Sequence, residues 1–171
     1  MMAAAYIDSG VSFVSQLNGL FAGLLVDRQL RRAFLFNDRY SLERIYYYET
    51  EEATYFASEA KALLRVLPEL RAFDDDGVAE YLALGCTTGT RTFFRGVRLL
   101  EGGSLWTFDA AGVHKQRYFS PAVLEGLQPL PTTAFETEDV STKRFSATSR
   151  RGSSPSTVWV VRVEIQAVPS Q

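Results

Sequence analysis

Residues 56–64 read Phe-Ala-Ser-Glu-Ala-Lys-Ala-Leu-Leu and combine the end of a strand with the start of a helix. Ser58 is of a type favoured at helix N-caps, and the negative charge of Glu59 suits the positive end of the helix dipole. A helix is predicted over residues 58–67, because Pro68 cannot continue it. Its apolar positions recur at helical spacing, at Ala60, Leu63, Leu64 and Leu67.

Upstream of this junction, apolar runs alternate with short polar turns and predict strands. Residues 20–26 form one candidate strand and residues 33–36 a second, which is apolar at every position and therefore expected to be buried on both faces. Residues 45–48 and 54–56 predict a hairpin. The chain before Gln16 predicts a short helix, with one face formed by Ala3, Ala4, Ile7 and Val11.

Downstream, the acidic residues 74–76 favour the start of another helix, and Gly85 is a plausible C-terminal stop. A final hairpin is predicted over residues 104–119, with its turn at 109–112. The order of helices and strand pairs predicts an α+β fold with antiparallel sheets. The predicted apolar face of the helix after residue 74 consists of Val78, Tyr81, Leu82 and Leu84.

Two regions are expected from the texture of the chain, a patterned domain over residues 1–128 and a tail over residues 129–171. The tail is rich in Ser, Thr and Arg and has no clear period, which predicts a mostly disordered segment. Residues 158–165 could form a strand, but an isolated strand would have nothing to pair with. An abrupt loss of pattern is also what a frameshift produces, so an out-of-frame tail is a second interpretation.

The composition excludes several classes of protein. Of 171 residues, 46% are hydrophobic and 22% charged, with a net charge of −2 and no cluster of Lys and Arg, so nucleic acid is not an expected partner. The apolar runs are too short to span a bilayer, and no signal peptide is evident at the start. The single cysteine, Cys86, excludes an internal disulfide and suits a reducing compartment. The expected location is the cytoplasm, with no membrane association.

Four segments resemble, in order and spacing, the glutaminase domain of glutamine-dependent asparagine synthetases, which are class II glutamine amidotransferases. They are residues 13–21, residues 37–40 followed by 45–47, residues 56–64, and residues 92–97 with Gly103 downstream. The resemblance implies an N-terminal-nucleophile-hydrolase sandwich of α/β/β/α layers with antiparallel sheets. This chain would supply the C-terminal half of it. The residues that match the family motifs, expected to be structural, are Asn18, Gly19, Phe21, Asp38, Arg39, Tyr46, Tyr47, Phe56, Ser58, Glu59, Lys61 and Gly96.

Three positions depart from the family pattern. Ser41 stands where the family usually has Gly, so the turn at this point is expected to differ. Residues 43–44, Glu-Arg, replace a common Lys-Pro. Residues 101–102, Glu-Gly, replace a Pro-Pro pair, which should loosen the approach to the last hairpin. These changes suggest a divergent member of the family, with an acceptor other than free aspartate as one interpretation.

The family's catalytic groups have no counterpart in these residues. Its nucleophile is an N-terminal cysteine activated by its own α-amine, whereas this sequence begins Met-Met-Ala-Ala-Ala. The family's glutamine-binding residues lie upstream of the matched segments, and residues 120–171 contain no loop for the pyrophosphate of ATP. The resemblance therefore implies a fragment without catalytic, cofactor or metal residues of its own. ATP and Mg would act in the complete enzyme, and the expected partners are the rest of the glutaminase domain with the synthetase domain, or a partner chain.

Several other residues are of types that occur in functional sites. Cys86 could be a nucleophile, but a small semi-buried residue is the simpler interpretation, and nothing in the pattern pairs it with His114. Residues 74–76 could bind a cation, although a helix N-terminus explains them. Asp38 and Arg39 are expected to form an ion pair. Glu59 and Lys61 are interpreted as structural, at the family's interface between domains, and a buried hairpin core accounts for Tyr46, Tyr47, Tyr48, Tyr55 and Phe56.

Three hypotheses for function follow. The first is an inactive piece of an asparagine-synthetase-like amidotransferase. The second is a non-catalytic half-domain that assembles with a partner chain, and the third is an unrelated small β-rich binding domain. Exposed sheet faces and unpaired edges would make the fragment poorly soluble.

Overall fold

The computed structural model describes residues 2–126 and 160–164, with side chains over residues 5–126. The chain forms two compact units, residues 1–120 together with 158–171, and residues 121–157. The described part of the second unit contains one short helix, Ala122–Glu125. The sheets and the other helices belong to the first unit.

The first unit contains two four-stranded antiparallel sheets. Sheet A has the order β1-β2-β6-β7 and sheet B the order β5-β3-β4-β8. The predicted strands and both predicted hairpins are confirmed, and so is the α+β class. The strand bounds are β1 Ala22–Asp27, β2 Arg32–Asn37, β3 Tyr46–Glu49, β4 Ala53–Ala57, β5 Arg98–Leu99, β6 Ser104–Asp109, β7 Gly112–Arg117 and β8 Val160–Glu164.

Strand β2 is buried on both faces, as its uninterrupted apolar sequence predicts. Phe34 and Phe36 belong to a cluster with Phe13 and Val14 of the N-terminal helices, whereas Leu35 belongs to a second cluster. The second cluster joins side chains of sheets A and B, for example through stacking of Phe56 on Phe108. A third cluster packs sheet B against the helix after β4. The side chains of β2 therefore enter two of the three apolar clusters.

The N-terminal segment is interrupted rather than one helix. It consists of α1 (Met2–Ser9), a 3₁₀ turn (Gly10–Ser12) and α2 (Phe13–Gln16). The predicted apolar face is wrong where side chains are described, because Ile7 and Val11 are exposed. The 3₁₀ turn shifts the phase of the helix, so that Phe13 and Val14 turn inward instead. The side chains of Ala3 and Ala4 lie outside the described residues.

The predicted passage from a strand into a helix at residues 56–64 is confirmed, but the predicted N-cap is wrong. Helix α3 spans Ala60–Val66, and the N-cap position is Glu59, not Ser58, with no side-chain capping bond. Glu59 is still extended, with φ −137° and ψ 134°, so the chain turns into the helix later than predicted. Leu63 is fully buried, and a 3₁₀ turn beginning at Pro68 follows the helix.

Helix α4 (Asp75–Leu84) has the predicted ends. The Asp74 carboxylate accepts a hydrogen bond from the Gly77 N–H, and Gly85 ends the helix in the left-handed conformation, with φ 76°. Its predicted apolar face is wrong, however, because Tyr81, Leu82 and Leu84 are exposed, Leu82 by 80%. The buried residue is Gly77, where a Cβ would clash with the Thr92 carbonyl oxygen. Close backbone contact therefore sets the buried side of α4.

Within the predicted tail, the described residues form strand β8, which pairs antiparallel with β4 from Ala53 opposite Glu164 to Ala57 opposite Val160. The expectation that this segment has nothing to pair with is wrong. The rest of the tail, residues 129–159 and 165–171, lies outside the described residues. No helix in the described ranges is long and apolar enough to cross a membrane.

Candidate functional site

The end of strand β2 is clamped to the loop before β6 by one buried amide. Asn37 is fully buried, and its Nδ2 donates to the carbonyl oxygens of Leu100, at 3.3 Å, and Glu101, at 3.0 Å. Its Oδ1 accepts from the Ser104 N–H at 3.0 Å. The Asn37 carbonyl oxygen accepts from the Tyr118 hydroxyl at 2.7 Å. The side chain of Asn37 thus joins the end of β2 to the loop before β6, and its main-chain carbonyl joins the same point to Tyr118.

Asp38 closes the loop that follows. Its buried carboxylate accepts backbone N–H bonds from Tyr40 at 3.0 Å, Leu42 at 3.1 Å and Glu43 at 2.8 Å. These bonds hold residues 38–43 in a tight turn, because each N–H is directed at the same carboxylate.

The expected ion pair between Asp38 and Arg39 does not form. Arg39 points the other way, donating to the Ser15 carbonyl oxygen at 3.3 Å and lying 5.6 Å from the centre of the Phe119 ring. The Asp38 carboxylate is instead satisfied by backbone donors, and this leaves Arg39 free to contact neighbouring segments.

The departures from the family pattern do not change this turn as expected. Ser41 itself has a positive φ of 54°, and its hydroxyl donates to the Leu100 carbonyl oxygen at 3.0 Å. The loosening predicted at residues 101–102 stays a prediction, and the structure shows close packing at Gly102. A Cβ on Gly102 would lie 2.6 Å from the Arg39 carbonyl oxygen, so the absence of a side chain allows the two loops to pack closely.

Burial affects the tyrosine beside the clamp. Burial raises the pKa of Tyr118 to about 12, with a further rise from the negative charge of Asp38 and an opposing effect from Arg39. The phenol therefore stays protonated at neutral pH and donates to the Asn37 carbonyl oxygen.

A cavity of about 490 Å³ opens beside the clamped loops. One wall is the loop containing Ser41, a second is the turn after α4, and a third is the segment before β6. Tyr81 contacts Phe93 edge to face, with ring centres 5.0 Å apart. The lining residues are Tyr40, Ser41, Arg44, Tyr81, Gly85, Cys86, Thr87, Gly89, Phe93, Leu99, Leu100, Glu101, Gly102 and Arg117.

Cys86 lines this cavity and is exposed, so the prediction of a semi-buried residue is wrong. It follows Gly85 at the end of α4, where the helix has already turned away from the core. His114 is on β7, with Nε2 3.7 Å from a carboxylate oxygen of Asp109, and it does not line the cavity. No hydrogen bond between Cys86 and His114 exists.

The acidic residues at the start of α4 cap the helix or lie beside arginine side chains. Asp74 caps the helix, Asp75 lies 3.8 Å from Arg95 and Asp76 lies 3.6 Å from Arg91. In the described part of the chain, no group of three or more His, Cys, Asp or Glu side chains could hold a metal ion.

The motif residues on sheet B and α3 have packing roles. Tyr47 joins the cluster between the sheets and contacts Trp106 edge to face, whereas Tyr46 packs on the α3 side. Glu59 and Lys61 form an ion pair at the surface with each other. Tyr48 and Tyr55 pack on the α3 side together with Tyr46.

The remaining motif residues mark turns and close contacts. Gly19 has φ 117°. Two residues further on, the Phe21 carbonyl oxygen accepts a hydrogen bond from the Asp38 N–H at 2.7 Å. Asn18 is exposed. Gly96 has φ 81°, and a Cβ there would lie 3.3 Å from the Tyr48 ring.

The sequence patterns assign no role to Asn37, Arg44 or Tyr118, although Asn37 lies in a family segment and Arg44 in the departure at residues 43–44. A signal for Asn37 existed, because a polar residue directly follows the fully apolar run 33–36 and must find partners if it is buried. Arg44 and Tyr118 had no comparable local signal.

Comparison with known proteins connects this geometry to a family. The sequence profile of the glutamine amidotransferase domain matches residues 1–119. Asparagine synthetase [glutamine-hydrolyzing] 3 of Bacillus subtilis (strain 168) is 30% identical over 119 residues, which cover 68% of this chain and 19% of that protein. Asparagine synthetase [glutamine-hydrolyzing] 2 of the same organism is 33% identical over 58 residues, or 34% of this chain and 8% of that protein.

This chain therefore spans about a fifth of the length of the relative that it matches over the longer segment. The interpretation as an unrelated β-rich binding domain is wrong, because the family match covers both sheets except β8. The chain belongs to the glutamine amidotransferase domain family and is homologous, over part of their length, to the glutamine-hydrolysing asparagine synthetases.

Proposed function

We propose that residues 1–119 are the structural half of a glutaminase domain from an asparagine-synthetase-like amidotransferase. The parental role is hydrolysis of glutamine and ATP-dependent transfer of the released amide nitrogen in asparagine biosynthesis. The 171 residues by themselves do not hydrolyse glutamine. The observation that carries this proposal is the family match over residues 1–119, combined with the position of the sole cysteine.

The packing supports a partial four-layer sandwich. One apolar cluster lies between the N-terminal helices and sheet A, a second joins the two sheets, and a third lies between sheet B and α3. Helix, sheet, sheet and helix thus follow one another through the clusters, in the layer order expected of an N-terminal-nucleophile hydrolase. We assign the chain to that architecture as its C-terminal half.

The chemistry of the sole cysteine supports inactivity. Class II glutaminases need a thiol whose own α-amine acts as the base, and the nitrogen of Cys86 is part of a peptide bond and is not basic. Cys86 is exposed and has no hydrogen-bond partner among the described residues that could act as a base in place of the amine. The chain therefore lacks an activated nucleophile of this class.

We assign ATP and Mg to the synthetase part of the complete enzyme. The matched segment covers 19% of the longer-matched relative, which leaves the rest of that protein to supply such a site.

A second candidate function, a non-catalytic half-domain that binds a partner chain, is favoured by exposed apolar side chains on α4 and just before it. Phe73, Leu82 and Leu84 are exposed by 60%, 80% and 62%. Leu82 and Leu84 are two positions apart on the helix and face different sides of it, and each is an exposed apolar side chain that a partner surface would cover.

The decisive experiment is release of ammonia from glutamine by the purified chain, with the Cys86→Ala variant as a matched control. We expect both proteins to remain at the background rate. Activity that the wild type has and the variant lacks would make Cys86 a nucleophile and contradict the proposal.

A second experiment distinguishes the structural half from the partner-binding module. The chain is co-expressed with the segment of the Bacillus subtilis asparagine synthetase 3 that precedes the matched region. Co-purification of the two and ammonia release dependent on both would support the structural half. Co-purification without any ammonia release would favour the partner-binding module.

A further inference from the structure

The lining of the cavity beside the clamped loops has two cationic side chains, Arg44 and Arg117, and one anionic side chain, Glu101. Arg44 makes no ion pair or hydrogen bond with any described residue. The other cation, Arg117, lies 3.5 Å from a carboxylate oxygen of Glu101, so these two charges offset each other. One positive charge therefore remains without a partner in the lining.

Hydroxyl groups of the lining supply further hydrogen-bond donors. The Ser41 hydroxyl is used, because it donates to Leu100 and accepts from Asn37. The phenol groups of Tyr40 and Tyr81 form no hydrogen bond with described residues, although both rings are held by aromatic neighbours. Fixed rings with free hydroxyl groups are good donors to a bound acceptor.

The size and the remaining walls restrict the ligand. A volume of about 490 Å³ is within the range of sites for small molecules, roughly 300–1,000 Å³. Tyr81, Phe93 and Leu99 supply apolar surface, while Arg44 offers the planar guanidinium that binds a carboxylate through two parallel hydrogen bonds.

We propose that this cavity binds a small carboxylic acid with an apolar body, its carboxylate on Arg44 and its body against Tyr81 and Phe93. Glutamine hydrolysis is not required for this site, which lies around Arg44 and the turn after α4. The site is thus separate from the proposed role of the domain.

The test is a titration of the ¹⁵N-labelled full chain with phenylacetate, followed by amide chemical shifts, with neutral phenylacetamide as the matched ligand. We expect shifts concentrated at residues 40–44 and 85–89 and a Kd on the order of 1 mM. Phenylacetamide should bind at least about tenfold more weakly, because the charge-assisted hydrogen bonds are lost.

Arg44→Gln should weaken phenylacetate binding by at least about tenfold, because the charge-assisted hydrogen bonds to the carboxylate are lost. Arg44 is exposed, so its replacement leaves the fold intact. Arg28→Gln is the control, because Arg28 is an exposed residue of the β1–β2 turn that does not line the cavity. Tyr81→Phe should weaken binding by a smaller factor. Equal binding of the acid and the amide, an unchanged Kd in Arg44→Gln, or no shifts at tens of millimolar phenylacetate would overturn the proposal.

Discussion

The side-chain amide of Asn37 donates to the carbonyl oxygen of Glu101 at 3.0 Å, joining two residues that are 64 positions apart. With its bonds to Leu100 and Ser104, this one side chain holds the end of β2 against the loop before β6. Because Asn37 is fully buried, water cannot replace these bonds if the amide is removed.

Asn37→Ala should therefore lower the free energy of unfolding by about 3 kcal/mol, since it leaves buried backbone groups without partners. Asn18→Ala is the matched control, because Asn18 is exposed, and it should change stability by less than about 0.5 kcal/mol. Urea denaturation of both variants measures the difference. Equal stability of the two would mean that the clamp contributes nothing.

Asp38→Asn should destabilise the chain by about 2 kcal/mol, because a carboxylate that accepts three backbone N–H bonds becomes an amide with one acceptor oxygen. Asp8→Asn, at an exposed position, supplies the control. Thermal unfolding monitored by circular dichroism is sufficient. An Asp38 variant as stable as the control would mean that the three backbone hydrogen bonds make no net contribution to the free energy of unfolding.

Ser41 combines an unfavourable backbone conformation with useful hydrogen bonds. Ser41→Ala keeps the positive φ and loses the bonds to Leu100 and Asn37, so it should be about 1 kcal/mol less stable than the wild type. Ser41→Gly also loses the bonds but relieves the conformation, and it should be more stable than the Ala variant by about 1 kcal/mol. Urea midpoints in the reverse order would contradict this account of the turn.

Tyr118 should produce a loss of stability at high pH. Its folded pKa, about 12, is above the ordinary value of 10.0, so its contribution is complete below pH 10 and is lost as the pH rises through 12. The pKa values of Tyr6 and Tyr47 are also raised, so absorbance at 295 nm should show one fewer late-ionising tyrosine in Tyr118→Phe than in the wild type. The variant should also lose less stability than the wild type between pH 10 and pH 12. An identical titration in both proteins would show that Tyr118 is an ordinary phenol.

Strand β8 should protect the edge of β4. In the full chain, the double substitution Val161→Pro and Arg162→Pro removes two adjacent backbone donors, and adjacent donors of an edge strand point alternately toward and away from its neighbour. Hydrogen exchange should then accelerate at amides of residues 53–57 and stay unchanged in the β1–β2 hairpin. The control with Val161→Thr and Arg162→Thr should leave hydrogen exchange as in the wild type. Unchanged exchange at 53–57 in the proline variant would rule out this pairing in solution.

Local patterns were sufficient for much of the fold. The hairpins, the ends of α4 and the two-sided burial of β2 follow from period, breakers and caps, which act between residues close in sequence. The same patterns were misleading for the exposed side of α4, because the contact of Gly77 with the Thr92 backbone, and not apolar spacing, orients that helix. They also predicted no partner for β8, because strand pairing depends on which sheet edge is left unpaired by the rest of the fold.

The sequence by itself determined strands β1 and β2, the two later hairpins, the ends of α4 and the family, because ordered motifs and local periodicity are properties of the linear chain. Only the tertiary structure decided the role of Asn37, the surroundings of Asp38 and Arg39, and the cavity with its unpaired Arg44. Those features arise where segments distant in sequence meet. Their free energies depend on burial and hydrogen-bond geometry, which are fixed by the packing of those segments and not by the identity of neighbouring residues.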